Sequence, residues 1–200
     1  MFYILTVAFA VAIITVVNFF VGGSMTVVSF GLELLLTLAG VAIVFVIDGL
    51  FAFIARRLPE KWFTPDAKHF DVRKGEQNFY RRLGIKKWKK FIPEWGCFTG
   101  FHKDKIREPE SSEYIGRFLI ESNYGVLGHV AGAIFGFAII FIPFFRPLAM
   151  ALPIAAVNLV LSLLPTMLLR FNTPPLRRMY RRNLEKENSV TKKEAEQITK

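Results

Sequence analysis

Long apolar runs alternate with strongly polar stretches along the chain. Four of the runs are long enough to cross a bilayer as helices, which takes about 20 apolar residues. They predict transmembrane helices at residues 2–21, 25–55, 125–145 and 148–169. Between the second and third runs lies a basic, aromatic stretch, residues 56–124. The pattern predicts an all-α integral membrane protein with four transmembrane helices and a long basic-aromatic cytoplasmic loop between helices 2 and 3.

The domain organisation follows from the same pattern. The four spans and their connections predict a single membrane domain over residues 1–186. From about residue 187 the sequence is polar without periodic apolar positions, which predicts a flexible cytoplasmic tail over 187–200. The first apolar run lacks a preceding basic region and exceeds the length of a cleavable signal core, so we interpret it as a retained span.

The basic residues predict the orientation. Residues 56–118 contain 16 of the 26 Lys and Arg residues, and residues 170–200 contain nine more. The two short connections contain one, Arg146. Because cytoplasmic segments carry the excess of Lys and Arg, we expect a multi-pass protein of the cell membrane with the loop and both termini in the cytoplasm.

The loop is predicted to lie at the membrane surface. Aromatic rings suit the headgroup layer, and the interspersed cations suit anionic headgroups. Residues 77–91 predict one or two short interfacial helices broken near Gly84. Residues 174–183 predict a basic helix that starts at two prolines, after an irregular segment at 171–173.

Composition and motifs exclude several classes of protein. A single cysteine, Cys97, allows no intrachain disulfide, and we predict no metal site. The motifs HExxH and CxxC and a Gly-rich phosphate loop do not occur. His69 and His102 lack the His-x4-acid pattern of soluble-faced glycerolipid acyltransferases. Basic aromatic segments also occur in nucleic-acid-binding proteins, but a loop anchored in a membrane at both ends argues against a nucleic-acid partner.

His129 is the first candidate for chemistry. It lies just inside the third apolar run, and an ionisable group in hydrocarbon is by default a functional-site hypothesis. A neutral imidazole can take a proton from a hydroxyl and return it, since its ordinary pKa is near neutrality. The alternative is a histidine that links two helices by a hydrogen bond.

Three carboxylates accompany it. Glu121 precedes His129 by eight residues, about 12 Å and 80° on a continuous helix, so the two can only bracket a substrate. Its alternative role is a first-turn carboxylate favoured by the helix dipole. Asp48 lies nearer the cytoplasmic end of its span and can reach the layer of His129, whereas Glu33 lies in the outer half and is harder to place.

Two further patterns have both a structural and a functional interpretation. Glycines at every fourth position, Gly128, Gly132 and Gly136, predict close helix packing, with a groove for an acyl chain as a second possibility. A basic run can bind either phosphates or anionic headgroups. It consists of Arg81, Arg82, Lys86, Lys87, Lys89 and Lys90.

Four stretches, in this order, resemble one known family. They are residues 57–63 (RLPEKWF), residues 79–89 (FY followed by GIKKWK), Glu121 with His129 in an E-x7-H pattern, and residues 170–176 (RFNTPPL). Together they are similar to the glycosyl-diaponeurosporenoate acyltransferase family over about residues 57–182. The named member of that family attaches a fatty acyl chain to the sugar of a glycosylated carotenoid.

The resemblance implies an O-acyltransferase with no bound cofactor and an acyl thioester, either acyl-CoA or an acyl carrier, as co-substrate. The implied catalytic residues are Glu121, His129, Arg170 and Asn172. The residues that we expect at the substrates are Asp48, Tyr80, Lys86, Lys87, Trp88 and Lys89. The implied partners are membrane lipid, a glycosylated or lipid-linked acceptor and anionic headgroups.

Two other functions remain open at this stage. One is a non-catalytic membrane protein that uses the glycine pattern and the loop for assembly and lipid docking. The other is a different membrane transferase, such as a methyltransferase with a nucleotide cofactor. Transfer chemistry on a lipid requires a lipid-accessible cavity that ends at His129, and a scaffold protein does not.

Overall fold

The computed structural model describes residues 2–23, 26–92 and 106–198, and these ranges contain helices and no strand. The helices are α1 (Phe2–Val21), α2 (Val27–Arg57), α3 (Lys74–Arg82), α4 (Ile85–Trp88), α5 (Ser112–Phe135) and α6 (Leu152–Ile198). Among them, α1, α2, α5 and α6 belong to the four helical segments long and apolar enough to cross a membrane. The predicted all-α class with four such helices is confirmed.

Helix α5 begins much earlier than residue 125, where the sequence predicts the third span. The Ser111 side chain accepts a hydrogen bond from the Tyr114 amide and caps the helix. After Phe135 the chain tightens into a 3-10 stretch, Gly136–Phe141. Glu121 therefore lies in the middle of a continuous helix, and its alternative interpretation as a first-turn carboxylate is wrong.

Helix α6 also differs from its prediction. It follows a π-helical turn, Pro147–Ala151, and continues without a break to Ile198. The predicted end at residue 169, the irregular segment 171–173 and the new start at Pro174 are therefore wrong. The helix also continues through the segment predicted to be a flexible tail, although the division into residues 1–186 and 187–200 stays a prediction.

A proline inside a helix lacks the N–H that would bond the carbonyl four residues earlier, and that carbonyl needs another donor. For Pro175 the carbonyl is that of Phe171, and the Gln77 side-chain amide donates to it at 3.0 Å. The donor comes from α3, 94 residues away in sequence. The helix therefore tolerates this proline because another element supplies the missing hydrogen bond.

Two more carbonyls, one in α6 and one in the π-helical turn before it, likewise accept a hydrogen bond from another element. In both cases the donor is a side chain of α1. The Tyr3 hydroxyl donates to the Leu161 carbonyl at 2.8 Å. The Asn18 amide donates to the Ala149 carbonyl at 2.7 Å. Leu161 and Ala149 each precede a proline by four residues. Helix α1 is thus fixed to α6 and to the π-helical turn before it by hydrogen bonds to carbonyls that the prolines leave without a donor.

Helix α5 packs against both α2 and α6, and α1 packs against α2 and α6. The glycines of α5 and the first residue of the 3-10 stretch after it, also a glycine, allow this close approach. Gly128 lies against Ala52, Gly132 against Asp48, and a Cβ atom at Gly136 would lie 2.6 Å from the Asn158 amide nitrogen. The packing role predicted for the three glycines is confirmed.

We call the end of the bundle with the α1–α2 connection and Arg146 the turn end, and the opposite end the basic end. At the basic end, α3 and α4 are separated by Gly84, whose φ of +65° favours glycine. The break thus lies at the glycine near which the sequence placed it, and the interfacial position of the one or two predicted helices stays a prediction. The buried Tyr80 and Ile85 pack with Leu168 of α6.

A ladder of ion pairs attaches the loop to the C-terminal half of α6. Successive arginines along α6 meet acidic residues that run in the reverse order along the loop. The pairs are Arg170–Glu76, Arg177–Asp71 and Arg181–Asp66. Residues 93–105, which include Cys97 and His102, lie outside the described residues.

Candidate active site

His129 lies in α5 one helical turn after Gly125 and one turn before Gly132, and its side chain is partly buried. Gly125 marks the contact of this face with Leu169 of α6. The imidazole has no hydrogen-bond partner among residues 2–23, 26–92 and 106–198. Within that part of the chain, the interpretation of His129 as a hydrogen-bonded link between helices therefore has no support.

A polar cluster connects three helices beside His129. The Asn158 side-chain amide donates to Asp48 Oδ1 at 3.2 Å and to the Gly132 carbonyl at 3.3 Å. Asn158 is only 5% exposed. We call Asp48, Gly132 and Asn158 the central cluster. Asn158 is a residue that the sequence analysis missed, although an amide within the fourth apolar run is a visible signal.

The central cluster lies in the same layer of the bundle as His129. Gly132 follows His129 by three residues, so the two are neighbours on the helix surface and about 4.5 Å apart along its axis. Because the Asp48 carboxyl contacts Gly132, the structure brings Asp48 to the level that the sequence suggested. Its role there stays a prediction.

Glu121 belongs to a different cluster. Its carboxylate pairs with Arg56 at 2.8 Å and with Arg117 at 3.1 Å, and its side chain is 9% exposed. Arg117 also contacts Glu60 at 2.9 Å. These contacts join the basic ends of α2 and α5, and Glu121 lies about 12 Å along the helix from His129.

Arg170 is held in a hydrogen-bonded group at the basic end. It donates to the two carboxylate oxygens of Glu76 at 2.5 and 2.8 Å and to the Asp71 carbonyl at 3.1 Å. The Tyr80 hydroxyl donates to Glu76 at 2.5 Å. Burial and the neighbouring Glu76 raise the pKa of Tyr80 to about 12. Burial favours a higher pKa for Glu76, but hydrogen bonds from Arg170 and Tyr80 outweigh it and lower that pKa.

Asn172 lies on the other side of the Gly125–Leu169 contact from His129. It is three residues beyond Leu169, and His129 is four residues beyond Gly125 in the antiparallel helix, so about 10 Å separates the two along the bundle. Asn172 is partly buried. The four residues implied by the resemblance therefore occupy three positions along the bundle, and the contacts on the described part of the chain do not bring them together.

The remaining predicted substrate residues lie on α4 and the turn after it. Lys86 and Lys87 are exposed, Lys89 and Trp88 are partly buried, and the Trp88 indole donates to the Leu83 carbonyl at 3.0 Å. The helix therefore presents its lysines outward at the basic end, where a soluble donor or a headgroup can reach them.

A small apolar groove of about 30 Å³ lies between α1, α2 and α6, and Asn158 of the central cluster is among its lining residues. His129 is not part of its lining, so this groove differs from the cavity that we expected to end at His129. Its other lining residues are Val7, Ala10, Ile14, Val41, Val44, Phe45, Ile154, Val157 and Leu161.

Glu33, which was harder to place from sequence, forms the turn-end cluster with Asn18 and Arg146. Arg146 pairs with Glu33 at 2.7 Å and donates to the Asn18 carbonyl at 3.1 Å. The cluster joins α1, α2 and the connection before α6. Across the described ranges, no group of His, Cys, Asp and Glu side chains is arranged to hold a metal ion.

Comparison with known proteins gives one match. No curated protein and no solved structure matches the chain. The family model of glycosyl-4,4'-diaponeurosporenoate acyltransferase matches residues 59–182. That range contains α3, α4 and α5, His129, Asn158 and the ion-pair ladder, and it covers more than half of the chain. The chain therefore belongs to the glycosyl-4,4'-diaponeurosporenoate acyltransferase family.

Proposed function

We propose that the protein is a membrane O-acyltransferase that moves a fatty acyl group from a cytoplasmic thioester to a hydroxyl of a glycosylated lipid or carotenoid. The observation that carries this proposal is the family match over residues 59–182. The geometry supports it, because a histidine lies next to a polar cluster inside a bundle of apolar helices.

His129 acts as the general base in this proposal. A neutral ring nitrogen takes the proton of the acceptor hydroxyl, and the oxygen attacks the thioester carbonyl. The new C–O bond forms, the C–S bond breaks, and the departing thiolate takes the proton back from the imidazolium. The product is an ester and a free thiol, and His129 returns to its neutral form.

The central cluster positions the reacting groups. Asn158 holds the Asp48 carboxyl against Gly132, one turn from His129, where the carboxyl favours the imidazolium that forms during the reaction. Glu121 and Asn172 keep the roles implied by the family, at the side of the site nearer the basic end. There Glu121 brackets the acceptor, and the Asn172 amide is the candidate donor to the developing oxyanion.

Arg170 has a positioning role in this proposal. Its guanidinium donates to Glu76 and Asp71, and Glu76 also accepts from Tyr80. These bonds occupy most of the N–H groups of the guanidinium, so few remain to donate to an oxyanion. Instead they fix α3 and the loop against α6 beside the lysines that we expect to hold the donor.

The donor side lies at the basic end. Lys86, Lys87 and Lys89, with Trp88, bind the phosphates of acyl-CoA or of an acyl carrier, and the surrounding cations attract anionic headgroups. This requires the loop and both termini on the cytoplasmic side of the cell membrane, which is the side that the positive-inside rule assigns to them.

The test compares the lipids of cells that carry the protein, lack it, or carry His129→Ala. We expect the acyl ester of the glycosylated acceptor to disappear in the null and to fall about a hundredfold or more in the variant, because general-base catalysis is worth that much. Mass spectrometry measures the ester and its non-acylated precursor. The matched control is His69→Ala, which removes an exposed histidine of the loop.

The variants must reach the membrane in equal amounts and keep the helical content of the parent, measured by immunoblot and circular dichroism. Full ester formation by folded His129→Ala contradicts the assignment of the base. An unchanged lipid profile in the null contradicts the proposed function itself.

A further inference from the structure

Helix α6 carries five arginines, and the ion-pair ladder uses three of them. The other two, Arg178 and Arg182, are exposed and lie one helical turn apart. Across the described part of the chain they form no ion pair and no hydrogen bond. The helix has no acidic residue before Glu185, so these two positive charges are available to an anionic ligand.

The two arginines border a cleft of about 220 Å³ whose other lining residues are Pro175 and Met179. Residues 168, 171, 175, 178 and 182 follow one another at intervals of three and four, so the cleft lies on the same face of α6 as the contact of Leu168 with Ile85 of α4. A pocket for a complete drug-sized ligand has about 300–1,000 Å³. The cleft therefore suits one end of a larger molecule.

The depth of the cleft distinguishes a soluble ligand from a lipid headgroup. Arg170 ends the fourth apolar run. Arg178 and Arg182 follow it by eight and twelve residues, which is about 12 and 18 Å of helix. The polar layer on each side of the hydrocarbon is about 5–8 Å thick. We therefore expect a soluble ligand in the cleft, because lipid phosphates lie nearer to Arg170.

The lining residues favour a nucleotide that carries a phosphate. Each guanidinium is planar and can donate two parallel hydrogen bonds to a phosphate. Beside the two arginines, Pro175 and Met179 offer an apolar surface, and a thioether packs well against an aromatic ring. Inorganic phosphate needs no such surface, whereas the adenine ring of a nucleotide does.

The distance from His129 fits the same kind of ligand. Because Gly125 contacts Leu169, His129 lies opposite residue 165 in the antiparallel helix. Arg178 is thirteen residues beyond that level, which is about 20 Å. The pantetheine arm between a thioester sulfur and its phosphate has the length of about five extended residues, or about 16 Å. A thioester at His129 therefore brings an attached nucleotide to the level of the cleft.

We propose that this cleft binds the 3'-phosphoadenosine end of acyl-CoA, with Arg178 and Arg182 at the 3'-phosphate and the two apolar residues against the adenine. The inference rests on the proposed function, because it names acyl-CoA, rather than an acyl carrier, as the thioester donor. The lysines of α4 keep the diphosphate, since α4 packs at Leu168, between the cleft and the level of His129. An acyl carrier has a single phosphodiester and no adenine, so it supplies neither group to the cleft.

The binding test uses adenosine 3',5'-bisphosphate and the purified full-length protein in phosphatidylcholine nanodiscs, with isothermal titration calorimetry. We expect Arg178→Ala and Arg182→Ala each to weaken binding about tenfold, because each removes charge-assisted hydrogen bonds to phosphate. Lys192→Ala removes an exposed cation about 15 Å further along the same helix and should leave the affinity unchanged. Equal affinities of the parent protein and the three variants overturn the proposal.

Smaller anions identify what the cleft recognises. Adenosine 5'-monophosphate, which lacks the 3'-phosphate, should bind the parent protein about tenfold more weakly than the bisphosphate does. Arg178→Ala should bind the two nucleotides equally. Inorganic pyrophosphate and glycerol 3-phosphate, a soluble headgroup analogue, should not displace the bisphosphate at equal concentration. Displacement by either anion contradicts a nucleotide site and favours general attraction of anions or of lipid headgroups.

A transfer assay separates this inference from the proposed function. Membranes of cells that lack the protein supply the acceptor, and the donor is palmitoyl-CoA or palmitoyl-dephospho-CoA, which has no 3'-phosphate. With palmitoyl-CoA, Arg178→Ala should raise KM about tenfold and leave kcat unchanged, because it removes binding rather than chemistry. With the dephospho donor, the variant should change neither constant.

His129→Ala should lose the product and keep its affinity for the bisphosphate. If His129→Ala keeps the product while the arginine variants lose binding, the catalytic assignment fails and the cleft stands. A KM for palmitoyl-CoA that does not depend on Arg178 or Arg182, or transfer from an acyl carrier alone, refutes the cleft assignment and leaves the catalytic assignment intact.

Discussion

The turn-end cluster and the central cluster are both polar groups inside an apolar bundle, but they differ in how their carboxyl groups are partnered. Glu33 forms an ion pair with Arg146, and Asn18 completes that cluster. Asp48 has a neutral amide, Asn158, as its hydrogen-bond partner in the described part of the chain. Intramembrane carboxyls without a countercharge are costly. We therefore expect a stabilising role for the first cluster and a functional role for the second.

The turn-end cluster should give the largest stability effect. Arg146→Ala leaves Glu33, whose side chain is 8% exposed, without its partner, and removing one member of a buried pair costs about 3 kcal/mol. We expect a lower unfolding temperature in detergent and unchanged turnover per folded molecule. Arg82→Ala, which removes an exposed arginine, is the control. A stable Arg146→Ala protein with reduced turnover would reverse the comparison.

A substitution in the central cluster should lower activity and leave stability unchanged or higher. Asp48→Asn keeps the shape of the side chain and removes the carboxyl beside His129, so we expect about a hundredfold less ester product. Stability should stay equal or rise, because an uncompensated carboxyl leaves the bundle. Glu33→Gln is the matched control, with lower stability and normal turnover. Equal behaviour of the two variants would show that the clusters do not differ in role.

Substitution of Asn18 measures how much of the stability of the turn-end cluster comes from the hydrogen bond to the Ala149 carbonyl. Asn18→Ala removes the donor to the Ala149 carbonyl, which should cost about 1.5 kcal/mol for an unsatisfied buried group. In a Pro153→Ala background residue 153 regains its N–H, and the same substitution should cost less. Thermal unfolding of the four proteins gives this double-mutant cycle. An identical cost in both backgrounds would contradict the idea that Asn18 replaces the bond lost at the proline.

Hydrophobic patterning was sufficient to predict four helices long and apolar enough to cross a membrane and the break at Gly84, because both depend on local composition. The same patterning gave the wrong start for α5 and the wrong end for α6. Helix α5 begins at the Ser111 cap, well before the apolar run, and within its first half Arg56 and Arg117 neutralise the Glu121 carboxylate. The prolines of α6 predict a break in isolation, and the helix continues because Gln77 bonds the Phe171 carbonyl from 94 residues away.

The candidate site, too, could be predicted only in part from the sequence. His129 and Asp48 are visible in the sequence as ionisable residues in apolar runs. The sequence does not reveal that the Arg170 guanidinium donates to Glu76 and to the Asp71 carbonyl, since those contacts depend on how the loop folds back onto α6. Asn158 was missed because the sequence reasoning considered only ionisable residues within the apolar runs, and an amide carries no charge.

The unbroken length of α6 has a mechanical consequence. With 47 residues it is a rod about 70 Å long, more than twice the thickness of the hydrocarbon layer. Its C-terminal half is held by the loop through Arg177 and Arg181, and Asn158 lies in its N-terminal half. We therefore expect a ligand that displaces the loop to move Asn158 as well, although about 30 Å of helix separates the two.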